Sequence, residues 1–144
     1  MEKELKFKRL RMSWGDFNEA VEEIAEEYRG QLITKIVGIS RGGLPLAVKL
    51  SNLLDIPMTV LEWQTRDGSV QDRNKLAELV GGDLSTTLFV DDICDSGETI
   101  KQIQELSGGN TRWSTLINKK ENIVEFSPNN FIGGDEWIVF PWET

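Results

Sequence analysis

The chain has 144 residues, 39% of them hydrophobic, with 24 acidic against 16 basic side chains and a formal charge of −8. That length suits one domain with one core, and the acidic balance argues against a general nucleic-acid binder. With no histidine, Ser-His and Cys-His dyads and histidine metal sites are excluded. The single cysteine, Cys94, excludes an internal disulfide and points to a reducing, cytoplasmic setting.

The first dozen residues carry Lys3, Lys6, Lys8, Arg9 and Arg11 against Glu2 and Glu4. No apolar stretch follows, so they read as a solvated arm or edge strand and not as a secretory signal. Nowhere does an apolar run approach the roughly 18 residues of a membrane span. Ser13, with Asp16 three residues later, offers a helix start. Trp14, Phe17, Val21, Ile24 and Tyr28 recur at helical spacing, with glutamates mainly on the other face, until Gly30. Ile33 to Ile39 is β-branched and apolar, which predicts a buried strand. It runs into Ser40-Arg41-Gly42-Gly43 and then a largely apolar helix with Pro45 in its first turn. Met58 to Trp63 reads as a strand, and the polar stretch from Trp63 to Lys75 as a loop.

Thr86 to Val90 predicts a further strand, delivering Asp91-Asp92 at its end. A helix over Thr99 to Leu106, closed by Gly108-Gly109, and a strand over Thr111 to Ile117 follow. Short strands and turns are expected from Lys119 to Thr144. Alternating strands and helices imply an α/β fold with a mostly parallel central sheet flanked by helices. Ligands of such sheets bind at the carboxyl ends of strands, where both unusual loops fall.

The chemistry concentrates in Leu88-Phe89-Val90-Asp91-Asp92-Ile93-Cys94-Asp95-Ser96-Gly97-Glu98-Thr99. Free N–H groups at a strand-to-helix turn bind phosphate, and glycine lets the backbone approach. Ser96 and Thr99 add hydroxyls, while the paired carboxylates suit ribose hydroxyls or an oxygen-ligated magnesium ion. Ser40-Arg41-Gly42-Gly43 offers amides and a guanidinium fork. Cys94 lacks a histidine to activate it and is not read as a nucleophile.

The Leu88–Thr99 stretch resembles the phosphoribosyl-diphosphate (PRPP) signature of type I phosphoribosyltransferases. Ser13-Trp14-Gly15-Asp16-Phe17, Ile39-Ser40-Arg41-Gly42-Gly43-Leu44 and Trp137-Ile138-Val139-Phe140-Pro141-Trp142-Glu143 are similar to the bacterial xanthine-guanine branch of that family. The resemblance implies one domain over 1–144, with a core of about 13–118 and a base-binding hood of about 119–144 joined by the N-terminal arm. It implies transfer of phosphoribose from PRPP to guanine, xanthine or hypoxanthine with Mg2+, in a homo-oligomer (dimer or tetramer), with no nucleic-acid partner.

By position, the resemblance implies PRPP contacts at Ser40, Arg41, Gly42, Gly43, Asp91, Asp92, Asp95, Ser96, Gly97, Glu98 and Thr99. By the same resemblance Asp91 and Asp92 would lie near the ribose hydroxyls and the metal, and Asp95 would be the catalytic residue, as general base. Lys119, Trp137, Ile138 and Glu143 would contact the base. Arg66, Arg73 and Lys75 are expected to reach the pyrophosphate from a loop that closes over the site. Glu98 stands where the related sequence has glycine, and Lys120 where it has proline. A phosphoribosyltransferase for another base, such as a pyrimidine, a non-catalytic PRPP- or nucleotide-binding regulator of the same fold and a phosphotransfer receiver are the rival readings.

Overall fold

The computed structural model describes residues 9–65 and 70–143. In chain order these form β1 (Arg9–Arg11), α1 (Trp14–Tyr28), β2 (Lys35–Ser40), α2 (Leu44–Leu54), β3 (Met58–Glu62) and α3 (Arg73–Val80). Then come β4 (Thr87–Cys94), α4 (Glu98–Ser107), β5 (Arg112–Asn118), β6 (Asn129–Asn130) and β7 (Trp137–Val139), and a 3-10 turn at Pro141–Glu143. The main sheet has five parallel strands in the order β3-β2-β4-β5-β6. A separate parallel ladder joins β1 to β7, pairing Leu10 with Ile138.

Local signals explain most boundaries. Ser13 and Asp16 form a reciprocal capping box, each side chain accepting from the other's backbone N–H at 3.0 Å. Gly30 takes a left-handed φ of +98° just past α1. Leu44-Pro45 opens α2, where the missing N–H of proline costs no helical bond.

The strands are apolar on both faces because helices cover both. Ile36, Leu88, Val90 and Leu116 pack with Phe17, Val21 and Ile24 of α1 and Leu46 and Leu50 of α2. Their neighbours Val37, Ile39, Phe89 and Trp113 pack with Leu76 and Leu79 of α3 and Ile100 and Ile103 of α4. This two-sided burial accounts for unbroken apolar runs in place of alternation. A Cβ on Gly38 would lie 2.6 Å from that of Ala47, so this glycine lets α2 sit close on β2.

Two expectations need correcting. The strand expected to stop at Val90 continues through Asp91 and Asp92 to Cys94, because β5 runs alongside and keeps pairing: Asp91 with Thr115, Ile93 with Ile117, Cys94 with Asn118. Cross-strand pairing here outweighs the low strand preference of aspartate. The loop expected to reach Lys75 ends at Asp72, whose side chain accepts from Lys75 N at 3.0 Å and caps α3. α3 follows it directly, with Leu76 and Leu79 buried at helical spacing. The edge-strand reading of the N-terminal arm holds for Arg9–Arg11, and Met1 to Lys8 lie outside the described residues.

Candidate active site

Because β2, β4 and β5 are parallel, their carboxyl ends lie on one rim. β2 and β4 pair only as far as Gly38 and Val90, while β2 continues beside β3 to Ser40. The Ser40–Gly43 segment fills the gap and folds onto β4. A Cβ on Gly43 would sit 2.6 Å from the Val90 carbonyl oxygen and 2.9 Å from Asp91 Cα, and one on Gly42 would run into the Asp92 carboxyl. Both glycines are therefore required by close approach. The Ser40–Arg41 peptide is cis.

Asp91 and Asp92 stand half-buried at this junction. Each turns one carboxylate oxygen to the next backbone N–H: Asp92 N donates to Asp91 Oδ1 and Ile93 N to Asp92 Oδ1, both at 2.8 Å. Among the described residues, neither pairs with a lysine or arginine. Burial first, then the charge of Asp92, pushes Asp91 well above the usual carboxylate range. Burial also raises Asp92, with Glu143 adding to it. Behind them the buried Cys94 thiol is pushed up to about 11 by burial, Asp91 and Asp95, with Lys120 and Lys101 pulling the other way. It stays a protonated, inert thiol at neutral pH.

The Asp95–Thr99 turn links β4 to α4. Gly97 caps the helix with φ +83°, and a side chain there would also strike Ile123 Cδ1 at 2.7 Å. The first-turn N–H groups of α4 have no carbonyl within the helix to bond. Ser96 Oγ accepts from Glu98 N at 3.3 Å. Glu98 Oε2 accepts from Gln102 Nε2 at 3.3 Å, which directs the carboxylate along the helix.

Lys119, only 7% exposed, donates through Nζ to the Glu136 carbonyl and lies 3.6 Å from Asp95 Oδ1. Trp137 leaves 58% of its surface open. Below it Phe140 stacks on Trp142 with centroids 5.0 Å apart, and Trp142 packs edge-on against Phe17. Glu143 Oε1 accepts from Phe140 N at 2.8 Å, which fixes the last turn.

Three adjoining hollows follow the rim. One of about 840 Å³ is lined by Ser40, Arg41, Gly42, Gln64, Thr65, Asp92, Thr99, Trp142 and Glu143. A second, of about 310 Å³, lies along Asp91 to Ile100 with Thr65. The third, of about 580 Å³, is lined by Asp95, Lys119, Asp135, Glu136, Trp137, Ile138, Phe140 and Glu143, with Asp92 and Ile93. Asp92 is common to all three, so they form one continuous cleft. Gly43 stands behind the loop and lines none of them; the other residues expected from the Ser40–Gly43 loop, the Asp91–Thr99 segment and the base-contacting set each line at least one.

Arg73 and Lys75 do not line the cleft. Arg73 lies over the Trp63 ring, 5.6 Å from its centroid, and bonds Gln71, while Lys75 pairs with Glu78 at 3.5 Å. Both are committed to α3 and the base of the loop. Arg66 lies outside the described residues. Sequence reasoning missed Gln64, Thr65 and Trp142 as lining groups, and Gln102, whose Oε1 accepts from both Trp63 Nε1 and Gln71 Nε2 at 3.0 Å and ties the loop base to α4. Only the position of Gln64 and Thr65 just past a strand end could have marked them.

Known proteins share this architecture. Xanthine-guanine phosphoribosyltransferase of Roseobacter denitrificans is 31% identical over 121 residues, covering 75% of this chain and 67% of that protein. The protein of the same name from Idiomarina loihiensis is 29% identical over 147 residues, covering 92% of this chain and 85% of its own length. The crystal structure of the purine phosphoribosyltransferase from Pyrococcus horikoshii matches with a TM-score of 0.74 at 27% identity, over 94% of this chain and 95% of that one. Residues 13–109, which hold both the Ser40–Gly43 loop and the Asp91–Thr99 segment, match the phosphoribosyl transferase domain model, and the chain belongs to that family.

Proposed function

We propose that this enzyme transfers the 5-phosphoribosyl group of PRPP to a 6-oxopurine (guanine, xanthine or hypoxanthine), releasing pyrophosphate and the nucleoside 5′-monophosphate in purine salvage. The observation that carries the reading is the continuous cleft pivoting on Asp92, with a guanidinium and amides at one end, a helix-start cradle at the second and an open indole beside a buried lysine at the third. The relatives' names, xanthine-guanine and hypoxanthine-guanine phosphoribosyltransferase, support the purine class.

In this reading the Ser40–Gly43 loop takes the pyrophosphate, Arg41 supplying its planar fork. Ser96, Gly97, Thr99 and the first-turn amides of α4 take the 5′-phosphate. The base stacks on Trp137, with Lys119 at its 6-oxo group and Ile138 and Glu143 along its edge. The bond from ribose C1 to the pyrophosphate oxygen breaks as the bond to a purine nitrogen forms, through a state with oxocarbenium character. Asp95 takes the proton released by the purine nitrogen, and Lys119, 3.6 Å away, orients its carboxylate. The Trp63–Gln71 bridge, clipped to α4 through Gln102, sets Gln64 and Thr65 along the wall of the cleft.

The donor set fits Mg2+. Two adjacent carboxylates, with no cationic partner among the described residues, are hard oxygen donors, and among the same residues no group of three acidic, histidine or cysteine side chains could hold a metal alone. Asp91 and Asp92 would hold the ion together with substrate and water oxygens, as magnesium prefers. When bound, the metal offsets negative charge on the leaving pyrophosphate.

The chain is read as one domain, its core about 13–118 and its hood about 119–144, tied to the N-terminal arm through the β1–β7 ladder. Among the described residues no helix is long and apolar enough to cross a membrane. The proposed setting is the cytoplasm, as a homo-oligomer. Incubation with Mg2+, PRPP and each purine separately tests the activity: nucleoside monophosphate is expected with at least one. No product with any purine overturns it, and wild-type turnover by Asp95→Asn removes Asp95 from the proton role.

A further inference from the structure

The Asp95–Thr99 turn carries more negative charge than a phosphate cradle should. Asp95 is offset by Lys119, but among the described residues Glu98 has no cationic partner, its carboxylate accepting from the amide of Gln102. An unbalanced carboxylate at the first position of α4 opposes the field by which a helix start attracts phosphate. Two lysines converge on the same spot from different elements. Lys101 comes from the first turn of α4 and Lys120 from the segment after β5. A Cβ on Gly97 would find Lys101 Cε at 3.8 Å and Lys120 Cγ at 4.0 Å. Both residues are exposed, and among the described residues neither forms an ion pair. In a chain with eight more acidic than basic groups, two unpaired ammonium groups flanking one glycine stand out.

The positions are built, not incidental. Gly97 packs on Ile123, so the Lys120-bearing segment is docked against the turn. Lys120 N also donates to Asn118 Oδ1 at 3.1 Å, which sets where its side chain leaves the backbone. Lys101 lies three residues beyond Glu98, on the neighbouring line of the helix surface. Neither lysine lines the 310 Å³ hollow itself. They stand at its outer rim, where flexible ammonium groups act on a phosphate through a short distance in partly wet surroundings.

We propose that Lys101 and Lys120 are accessory PRPP-binding residues that offset Glu98 and strengthen the hold of the Asp95–Thr99 turn on the 5′-phosphate. Glu98 and Lys120, which both depart from the related sequence, then form a compensating pair around one ligand. The proposal rests on the phosphoribosyl reading of the cleft. It adds a residue-level division of labour: Arg41 serves the pyrophosphate end and the two lysines serve the 5′ end.

Two readouts test it. In steady-state assays each single alanine variant should raise the KM for PRPP about two- to fivefold, and Lys101→Ala/Lys120→Ala together about tenfold, with kcat and the KM for the base little changed. Glu98→Gln, which keeps an acceptor for Gln102 but removes the charge, should recover part of that loss in the double-variant background. Lys120→Arg should restore binding in the single-variant series, since only the charge matters at the rim. The second readout is calorimetric binding of ribose 5-phosphate, which carries the 5′-phosphate but neither pyrophosphate nor base. The lysine variants should weaken it by similar factors, and added salt should weaken the wild type more than the double variant.

An unchanged KM for PRPP in the double variant, no gain from Glu98→Gln, failure of arginine to restore, or no ribose 5-phosphate binding by the wild type would each overturn the proposal. Lysine-dependent binding of ribose 5-phosphate without turnover of any purine would instead support the anion site and sink the transferase reading. Normal turnover with lysine-independent PRPP use would do the reverse.

Discussion

Asp91 and Asp92 are adjacent carboxylates held half-buried at the end of β4. Burial, then the neighbouring charge, raises Asp91 well above the usual carboxylate range, and no ion pair among the described residues relieves it. A carboxyl raised in the folded state favours its protonated form. Its cost to stability is absent below the ordinary aspartate range and grows as pH climbs through that range toward the raised value. Asp91→Asn removes the charge yet keeps an oxygen to accept from Asp92 N. The free variant should melt about 3–6 °C higher at neutral pH, for roughly 1 kcal/mol, and lose this part of the pH dependence. Its kcat/KM should fall by about 100-fold if the carboxylate helps hold the metal and ribose. Scanning calorimetry beside PRPP kinetics reads both effects, and a variant that is neither more stable nor less active would contradict the assignment.

At the scale of elements, the site exists because two glycines let a loop lie on a strand. Gly43 meets Val90 and Asp91 backbone, and Gly42 has the Asp92 carboxyl where a side chain would go. Gly42→Ala must displace either the loop or the carboxylate. It should cost about 1–3 kcal/mol of stability and raise the KM for PRPP at least tenfold, by roughly the 1.4 kcal/mol that such a factor represents. A denaturation curve and a PRPP titration check the two numbers. The same scale explains the misread elements. β4 overruns Val90 because β5 remains beside it, which no window along one strand reveals. α3 is short and begins inside a polar stretch, so its Asp72 cap and Leu76–Leu79 pair were weak signals against the charge around them.

Across the whole molecule, structural and chemical tasks lie at opposite ends of the sheet. At the amino end of β5, Arg112 pairs with Glu125 at 2.9 Å and also donates to Ser85 O at 3.2 Å and Gln31 Oε1 at 2.6 Å. It thereby joins the end of α1, the entry to β4 and the return segment after β5. Burial tends to raise Glu125, but the bonds from Arg112 hold it below its ordinary range. That contribution is present above the usual glutamate range and is lost as pH falls through the lowered value. Glu125 is 41% exposed at its side chain, so solvent screens the ion pair and the hydrogen bonds carry most of the effect. Arg112→Ala should lower stability by about 1–2 kcal/mol while leaving kcat/KM within about twofold, since it touches none of the hollows. Thermal melts and PRPP kinetics on one preparation check both; a large kinetic loss would mean the two ends are coupled.

Much of the α/β architecture was legible because it rests on local signals: the Ser13–Asp16 box, Pro45 at a helix start, apolar runs too continuous for a one-sided sheet, and Gly97 at a turn needing positive φ. The Asp91–Thr99 segment was legible for the same reason, since its groups are adjacent in sequence and their spacing is the chemistry. Tertiary structure alone decided the rest. It set Gly42 against Asp92, brought Lys119 to Asp95 across the β4–β5 pair, turned Arg73 and Lys75 from the cleft to α3, and added Gln64, Thr65 and Trp142 to its walls. Those contacts join residues far apart along the chain, and their geometry follows from strand order and helix packing, which no single stretch encodes. The net charge of −8 first suggested a poor host for a polyanion. The fold answers this by gathering Arg41, Lys119 and the exposed amides on one rim, and charge acts over a few ångströms, not over a composition.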